Sequence, residues 1–133
     1  MIYTYLYLLT FLVFFAIDFI WLRFIATNLY SKKIGHLMAP KPKLFPALIF
    51  YLIFVVGVII FAVLPGYESQ NIWKTIMLGA LFGMLSYSTY DLTNLATLKK
   101  WPVSVTIIDI IWGTSVSAMT SVAGYFIATL LRV

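Results

Sequence analysis

Residues 45–64 read FPALIFYLIFVVGVIIFAVL, a run without a single charged side chain. An α-helix rises about 1.5 Å per residue, so a run of this length spans about 30 Å, the thickness of the hydrocarbon core of a bilayer. Lipid offers no partners for backbone N–H and C=O groups, and a segment that crosses it must therefore be helical. The stretch predicts a transmembrane helix.

The rest of the chain has a similar composition. Of its 133 residues, 63% are hydrophobic and 10% are charged, whereas a soluble domain is roughly 45–50% apolar and 25% charged. Three further apolar stretches are long enough to cross a bilayer. The sequence therefore predicts an all-α fold, an integral membrane bundle of four transmembrane helices that forms a single domain over residues 1–133. The predicted helices cover about residues 2–26, 45–64, 74–98 and 103–131.

A cleaved signal peptide is the alternative interpretation of the first stretch. No positively charged residue precedes its apolar part, however, and Asp18 interrupts that part. Both features are atypical of a signal peptide. The first stretch is therefore expected to be a membrane span.

Lysines are distributed unevenly among the segments that connect the predicted helices. Four lie in the first linker, between residues 27 and 44, and two lie in the third, between residues 99 and 102. The second linker and the C terminus contribute only Lys74 and Arg132. By the positive-inside rule, the first and third linkers face the cytoplasm and both termini face away from it. The same division explains the net charge of +5 without nucleic acid as a partner.

Three of the four acidic residues lie inside predicted spans: Asp18 in the first, Asp91 in the third and Asp109 in the fourth. A charged side chain near the bilayer centre costs about 2.5–3.5 kcal/mol, and such a residue therefore predicts a functional site. Counted from the predicted cytoplasmic ends of their helices, the three lie about 9–12 Å deep. We expect them to meet in one pocket in the cytoplasmic half of the membrane.

Small and polar residues recur every three, four or seven positions on the fourth span, and this spacing places them on one face. Gly79 and Gly83 have the same spacing on the third span. Small residues at such intervals let membrane helices approach closely. The first, third and fourth helices are therefore expected to form the polar core, while the uniformly apolar second helix packs outside, mostly against lipid. The stripe on the fourth span consists of Thr106, Asp109, Gly113, Ser117, Thr120 and Gly124.

The candidate site combines the aspartates with polar and aromatic side chains expected on the same helix faces. No catalytic residue is assigned, because the chain lacks a cysteine and has a single histidine, His36, outside the spans. A cofactor cannot be named, nor can a metal. The predicted ligand-binding residues are Asp18, Trp21, Tyr87, Tyr90, Asp91, Asn94, Asp109 and Trp112.

Three carboxylates in a low-dielectric pocket cannot all stay ionised. Protons or a bound cation must neutralise them, and the surrounding oxygen atoms favour a hard cation such as Na⁺ or Mg²⁺ over zinc. Arg23 is a doubtful counter-charge, since it lies on another face and close enough to the interface to extend outward. The alternative is that neutral aspartates merely join helices, at about 0.6 kcal/mol per interhelical hydrogen bond.

One segment, residues 90–97 with the sequence YDLTNLAT, resembles the small bacterial inner-membrane proteins grouped as domain of unknown function 2177. The resemblance covers essentially the whole chain. It implies four helices, a bacterial inner membrane and no established activity. The other matching residues are Asp18, Trp21-Leu22, Trp101-Pro102, Asp109 and Trp112-Gly113.

Three classes of function are compatible with these features. Binding or transport of a small molecule, a proton or a cation fits an acidic pocket, and a second copy of the chain is then expected because four helices leave little room for a pathway. A membrane enzyme acting on lipids would use paired carboxylates as general acid and base, but no phosphate-binding motif accompanies them. An accessory or scaffold subunit of a larger membrane complex fits the small size. Membrane lipids are expected partners in every case.

Overall fold

The computed structural model describes all 133 residues and contains helices and no β-strand. The predicted all-α membrane bundle is thereby confirmed. Two of the four helices contain a short π-helical turn, Leu22–Ala26 in the first and Ile59–Val63 in the second, without a break in the helix. The helices are α1 (Ile2–Leu37), α2 (Leu44–Glu68), α3 (Ile72–Thr97) and α4 (Val103–Leu131).

The end of α1 differs from the prediction. The helix continues to Leu37, eleven residues beyond the predicted end at residue 26. The segment Thr27–Ile34 is helical and contains neither glycine nor proline, so nothing in it interrupts the helix. Its lysines made it resemble a linker, but charged side chains are compatible with a helix that extends beyond the lipid.

The length and composition of the helices fit a bilayer. Three of them, α1, α2 and α4, are long and apolar enough to cross a membrane. The 26 residues of α3 correspond to about 39 Å, which also exceeds the hydrocarbon thickness, although α3 is the least apolar of the four. Large apolar side chains such as Leu12, Ile53, Leu85 and Ile111 are exposed on the outside of the bundle, where a soluble protein would carry polar ones.

The closest helix pair is α3 with α4. A Cβ atom on Gly83 would meet the carbonyl oxygen of Gly113 and come within 2.5 Å of the Ser117 Cβ. A Cβ atom on Gly79 would similarly collide with Ser121. The predicted small-residue contact between these two helices therefore exists, and it depends on the absence of side chains at these glycines.

The expected arrangement of the other helices was wrong in two respects. The helices α1 and α3 each pack against α4 but make little contact with each other. Instead of packing outside, α2 supplies much of the buried core, to which it contributes Phe54, Val55, Val58, Ile59 and Val63.

Pro65 accounts for the π-helical turn in α2. Proline has no N–H to donate and its ring displaces the preceding turn, so a regular hydrogen-bond pattern cannot continue through it. The hydroxyl of Thr75 on α3 donates a hydrogen bond of 3.1 Å to the carbonyl of Ala62 within this turn. The irregular turn thus gains a specific contact with the neighbouring helix.

Candidate functional site

Asp18 lies at the centre of the bundle, where its side chain is 5% exposed. Its two carboxyl oxygens have different donors from different helices. The Tyr51 hydroxyl of α2 donates to Oδ2, and the Trp112 Nε1–H of α4 donates to Oδ1 over 3.1 Å. One carboxyl group therefore joins three of the four helices, and both of its oxygens are satisfied within the protein.

Two predicted site residues, Trp21 and Trp112, form a stacked pair beside Asp18. Their ring centroids are 4.3 Å apart and the ring planes differ by 6°. This contact fixes the indole of Trp112 in the orientation that directs its N–H toward Asp18. The ring of Tyr30 meets Trp21 edge-on from further along α1.

Asp109 accepts a hydrogen bond of 2.9 Å from the Tyr30 hydroxyl at its Oδ1. Tyr30 follows Asp18 by twelve positions on α1, and a regular α-helix would rotate it about 120° away from Asp18. The π-helical turn Leu22–Ala26 inserts one extra residue, which reduces that rotation to about 20°. The irregular turn therefore brings Tyr30 to the face of α1 that carries Asp18 and that packs against α4.

Asp91 has a different environment from the other two aspartates. Its side chain is completely buried, and neither carboxyl oxygen has a hydrogen-bond donor. Its carboxyl group lies next to that of Asp109 and interacts with it. No lysine or arginine approaches either Asp18 or Asp91. Two adjacent carboxyl groups without a counter-charge favour a shared proton, because one protonated oxygen then donates to the other group.

The three aspartates thus form a series rather than a ring. Asp109 is in contact with Asp91 on one side, and its charge also interacts with that of Asp18 on the other. The three do not form a group that could hold a metal ion. The three carboxylates therefore do not form the Na⁺ or Mg²⁺ site that the sequence suggested.

A cavity of about 310 Å³ lies next to Asp109, between α2, α3 and α4. The aromatic rings of Phe50 and Tyr87 meet there at 72°, with their centroids 6.4 Å apart. Most of the wall is aromatic, and Asp109 is its charged component. The lining residues are Phe50, Ser86, Tyr87, Tyr90 and Asp109.

Most of the predicted site residues lie within this assembly. The aspartates, Trp21 and Trp112 form the central cluster, while Tyr87 and Tyr90 line the cavity. Asn94 lies beside Tyr90 but does not line the cavity. Sequence reasoning missed Tyr30, which was assigned to a linker, and both Phe50 and Tyr51, which were assigned to a helix facing lipid.

These features define a class of protein, a membrane-embedded helical bundle with a buried acidic site and an adjoining aromatic cavity. The model of a family of predicted membrane proteins, DUF2177, matches residues 3–126, and the chain belongs to that family. The resemblance inferred from residues 90–97 is confirmed. No curated protein and no solved structure matches the chain.

Proposed function

We propose that the protein binds a proton at the Asp91–Asp109 pair and that this proton controls the binding or transport of a small molecule in the adjoining cavity. The observation that carries the proposal is the environment of Asp91. This carboxyl group is fully buried, has no donor and contacts a second carboxyl group. A purely structural aspartate would be expected to resemble Asp18, whose two oxygens are both satisfied.

Burial and charge repulsion both favour a proton at this pair. An isolated buried carboxylate is costly, and a second carboxylate in contact with it adds repulsion, so the doubly ionised pair is strongly disfavoured. The singly protonated pair has one O–H donor and one charge. Such a pair gains or loses a proton when its surroundings change, which is the property required of an intramembrane proton-binding site.

The position of Asp109 supports the link to a small molecule. This residue belongs both to the carboxyl pair and to the wall of the cavity. A molecule in the cavity therefore changes the surroundings of the pair directly. Binding of the molecule and binding of the proton must then be reciprocally coupled.

Replacing Asp91 with asparagine tests the proton site. A folded state that retains a proton, which the unfolded chain releases above about pH 4, must lose stability as the pH rises, by up to about 1.4 kcal/mol per pH unit. We expect this slope for the wild type between pH 5 and 8 and its loss in Asp91→Asn, because an amide has no proton to lose in this range. The measurement is the free energy of unfolding of the detergent-solubilised protein at several pH values.

Glu68→Gln is the matched control, since Glu68 is the only acidic residue besides the three aspartates and is exposed. It should retain the slope of the wild type. A wild-type protein whose stability does not fall over this range, or an Asp91→Asn variant with an unchanged slope, would contradict a proton at this pair.

We further propose that the protein resides in a bacterial inner membrane with both termini in the periplasm. The lysines near the end of α1 and in the connection between α3 and α4 support this orientation, since Lys32, Lys33, Lys99 and Lys100 are all exposed and lie at the same end of the bundle as the aspartates. Positive charges next to membrane spans favour the cytoplasmic side.

Reporter fusions at the C terminus test this orientation. Alkaline phosphatase folds only in the periplasm and should be active when fused after Val133, whereas a fluorescent reporter of the cytoplasm should be dark there. A fusion of each reporter between residues 38 and 43 should give the opposite result. The reverse pattern would place the acidic site in the other half of the membrane.

A further inference from the structure

We infer that the cavity beside Asp109 is a site for an organic cation of the ammonium class, held between the aromatic rings and the carboxylate. This inference rests on the proposed function, because it names the class of molecule whose binding the carboxyl pair would control. It depends on three properties of the cavity: the geometry of its rings, the sign of the charges around it, and its size.

The aromatic walls present surfaces that attract cations. The rings of Phe50 and Tyr87 meet almost at right angles, and Tyr90 lines the same space. The face of an aromatic ring carries a partial negative charge, and aromatic walls recognise quaternary ammonium groups.

The charges around the cavity have only one sign. Asp109 lies in the wall of the cavity. Asp91 lies next to Asp109, and the charge of Asp18 also acts on Asp109. No lysine or arginine lines the cavity or acts on Asp18 or Asp91, and an anion would therefore meet repulsion without a counter-charge. The titratable groups that act on the carboxyl pair from the neighbouring helices are Asp18 and Tyr30 from α1 and Tyr87 and Tyr90 from α3.

The dimensions of the cavity favour an organic ion over a metal ion. A volume of about 310 Å³ far exceeds that of a metal ion, and the aspartates do not form a group that could hold one. The Ser86 hydroxyl in the wall already donates 2.8 Å to the Phe82 carbonyl of its own helix. A single carboxylate in a mostly aromatic wall suits a bulky cation with a weakly hydrated charge.

Charge balance then links the binding of the cation to the protonation of the pair. When the carboxyl pair holds one proton it carries one negative charge, which the cation neutralises. If the pair is fully protonated, entry of the cation displaces a proton to the solvent. Binding is therefore expected to weaken as the pH falls, since protons and the cation compete for the same carboxylate.

Choline and a neutral analogue test the site. The analogue is the alcohol in which a carbon atom replaces the nitrogen of choline. The two molecules have the same shape and differ in charge. We expect choline to raise the melting temperature of the detergent-solubilised protein in a saturable manner, less at pH 5 than at pH 8. The neutral alcohol should produce no saturable shift. Equal shifts from both molecules would overturn the inference, since the cavity would then be merely apolar.

Variants of Tyr90 separate a binding role from a folding role. Tyr90 is 57% exposed, so its replacement is expected to leave the fold intact. Tyr90→Leu should weaken choline binding about fivefold, because it removes one cation–π contact. Tyr90→Phe keeps the ring and should bind choline like the wild type. An unchanged affinity in Tyr90→Leu would also overturn the inference.

The choline measurements and the pH-dependent unfolding test the ammonium site and the proton site separately. Failure of choline to bind a protein that still shows the slope dependent on Asp91 would overturn the ammonium site and leave the proton site standing. Failure of both would remove the proposed function as well.

Discussion

Gly83→Leu should destroy the contact between α3 and α4 and prevent the bundle from folding. A Cβ atom at position 83 already collides with the carbonyl oxygen of Gly113 and approaches the Ser117 Cβ within 2.5 Å. Overpacking of a core usually costs about 1–3 kcal/mol. Here the obstacle is the backbone of the other helix, which cannot rotate out of the way. We therefore expect Gly83→Ala to lose at least about 3 kcal/mol of stability and Gly83→Leu to lose more.

The measurement is the folded fraction of the purified variants during unfolding in detergent, followed by circular dichroism. Gly35→Ala is the matched control, because Gly35 is helical and has no neighbouring atom within 4 Å of an added Cβ. Its stability should be close to that of the wild type, because Gly35 has a φ of −54° in the last turns of α1, a conformation that alanine adopts without strain. Wild-type stability in Gly83→Leu would show that the two helices do not approach as the structure indicates.

The close contact of α3 with α4 was predictable because its cause is local and periodic. Glycine and serine repeat on both helices with the spacing of one helical face, and the sequence displays this spacing directly. The buried positions of Asp18 and Asp91 were predictable for a related reason, since charges inside apolar runs must avoid lipid. Both inferences need only helix geometry and the cost of exposure to lipid.

The role of α2 could not be predicted in the same way. Its residues 45–64 are apolar on every side, so no periodicity distinguishes a face toward protein from a face toward lipid. In lipid, packing rather than water decides which apolar face is buried. Tyr51 and Gly57 were the only signals, and a Cβ atom on Gly57 would collide with the Phe82 ring of α3. A tyrosine inside an otherwise apolar span needs a partner for its hydroxyl when buried, and its partner is Asp18.

Tyr30 was missed because the residues after position 26 were assigned to a linker, and a change of register in α1 also conceals its position. A regular α-helix has 3.6 residues per turn, and in such a helix Tyr30 and Asp18 would lie on different faces. The π-helical turn Leu22–Ala26 alters the register by one residue, and no proline marks it, in contrast to the turn before Pro65 in α2. The change of register is shown by the Thr27 N–H, which donates to the Leu22 carbonyl, five residues earlier instead of four.

Asp18→Leu should be the most damaging substitution within the site. It leaves the Tyr51 hydroxyl and the Trp112 Nε1–H without their acceptor in the interior of the bundle. An unsatisfied buried donor costs about 1–3 kcal/mol, so two of them predict a loss of about 2–6 kcal/mol. The stacked pair of Trp21 and Trp112 should also become less ordered, and its near-ultraviolet circular dichroism should weaken.

Asp18→Asn is the appropriate comparison, because both variants remove the charge and only leucine removes the hydrogen-bonding capacity. The asparagine oxygen can accept from Trp112, and its amide can donate to the Tyr51 oxygen, since a hydroxyl acts in either sense. We therefore expect the free energy of unfolding of Asp18→Asn to be close to that of the wild type. The near-ultraviolet circular dichroism of the tryptophan pair should be retained. If both variants lost the same stability, the charge of Asp18 rather than its hydrogen bonds would be what joins the three helices. If neither lost any, Asp18 would not be the junction at which α1, α2 and α4 meet.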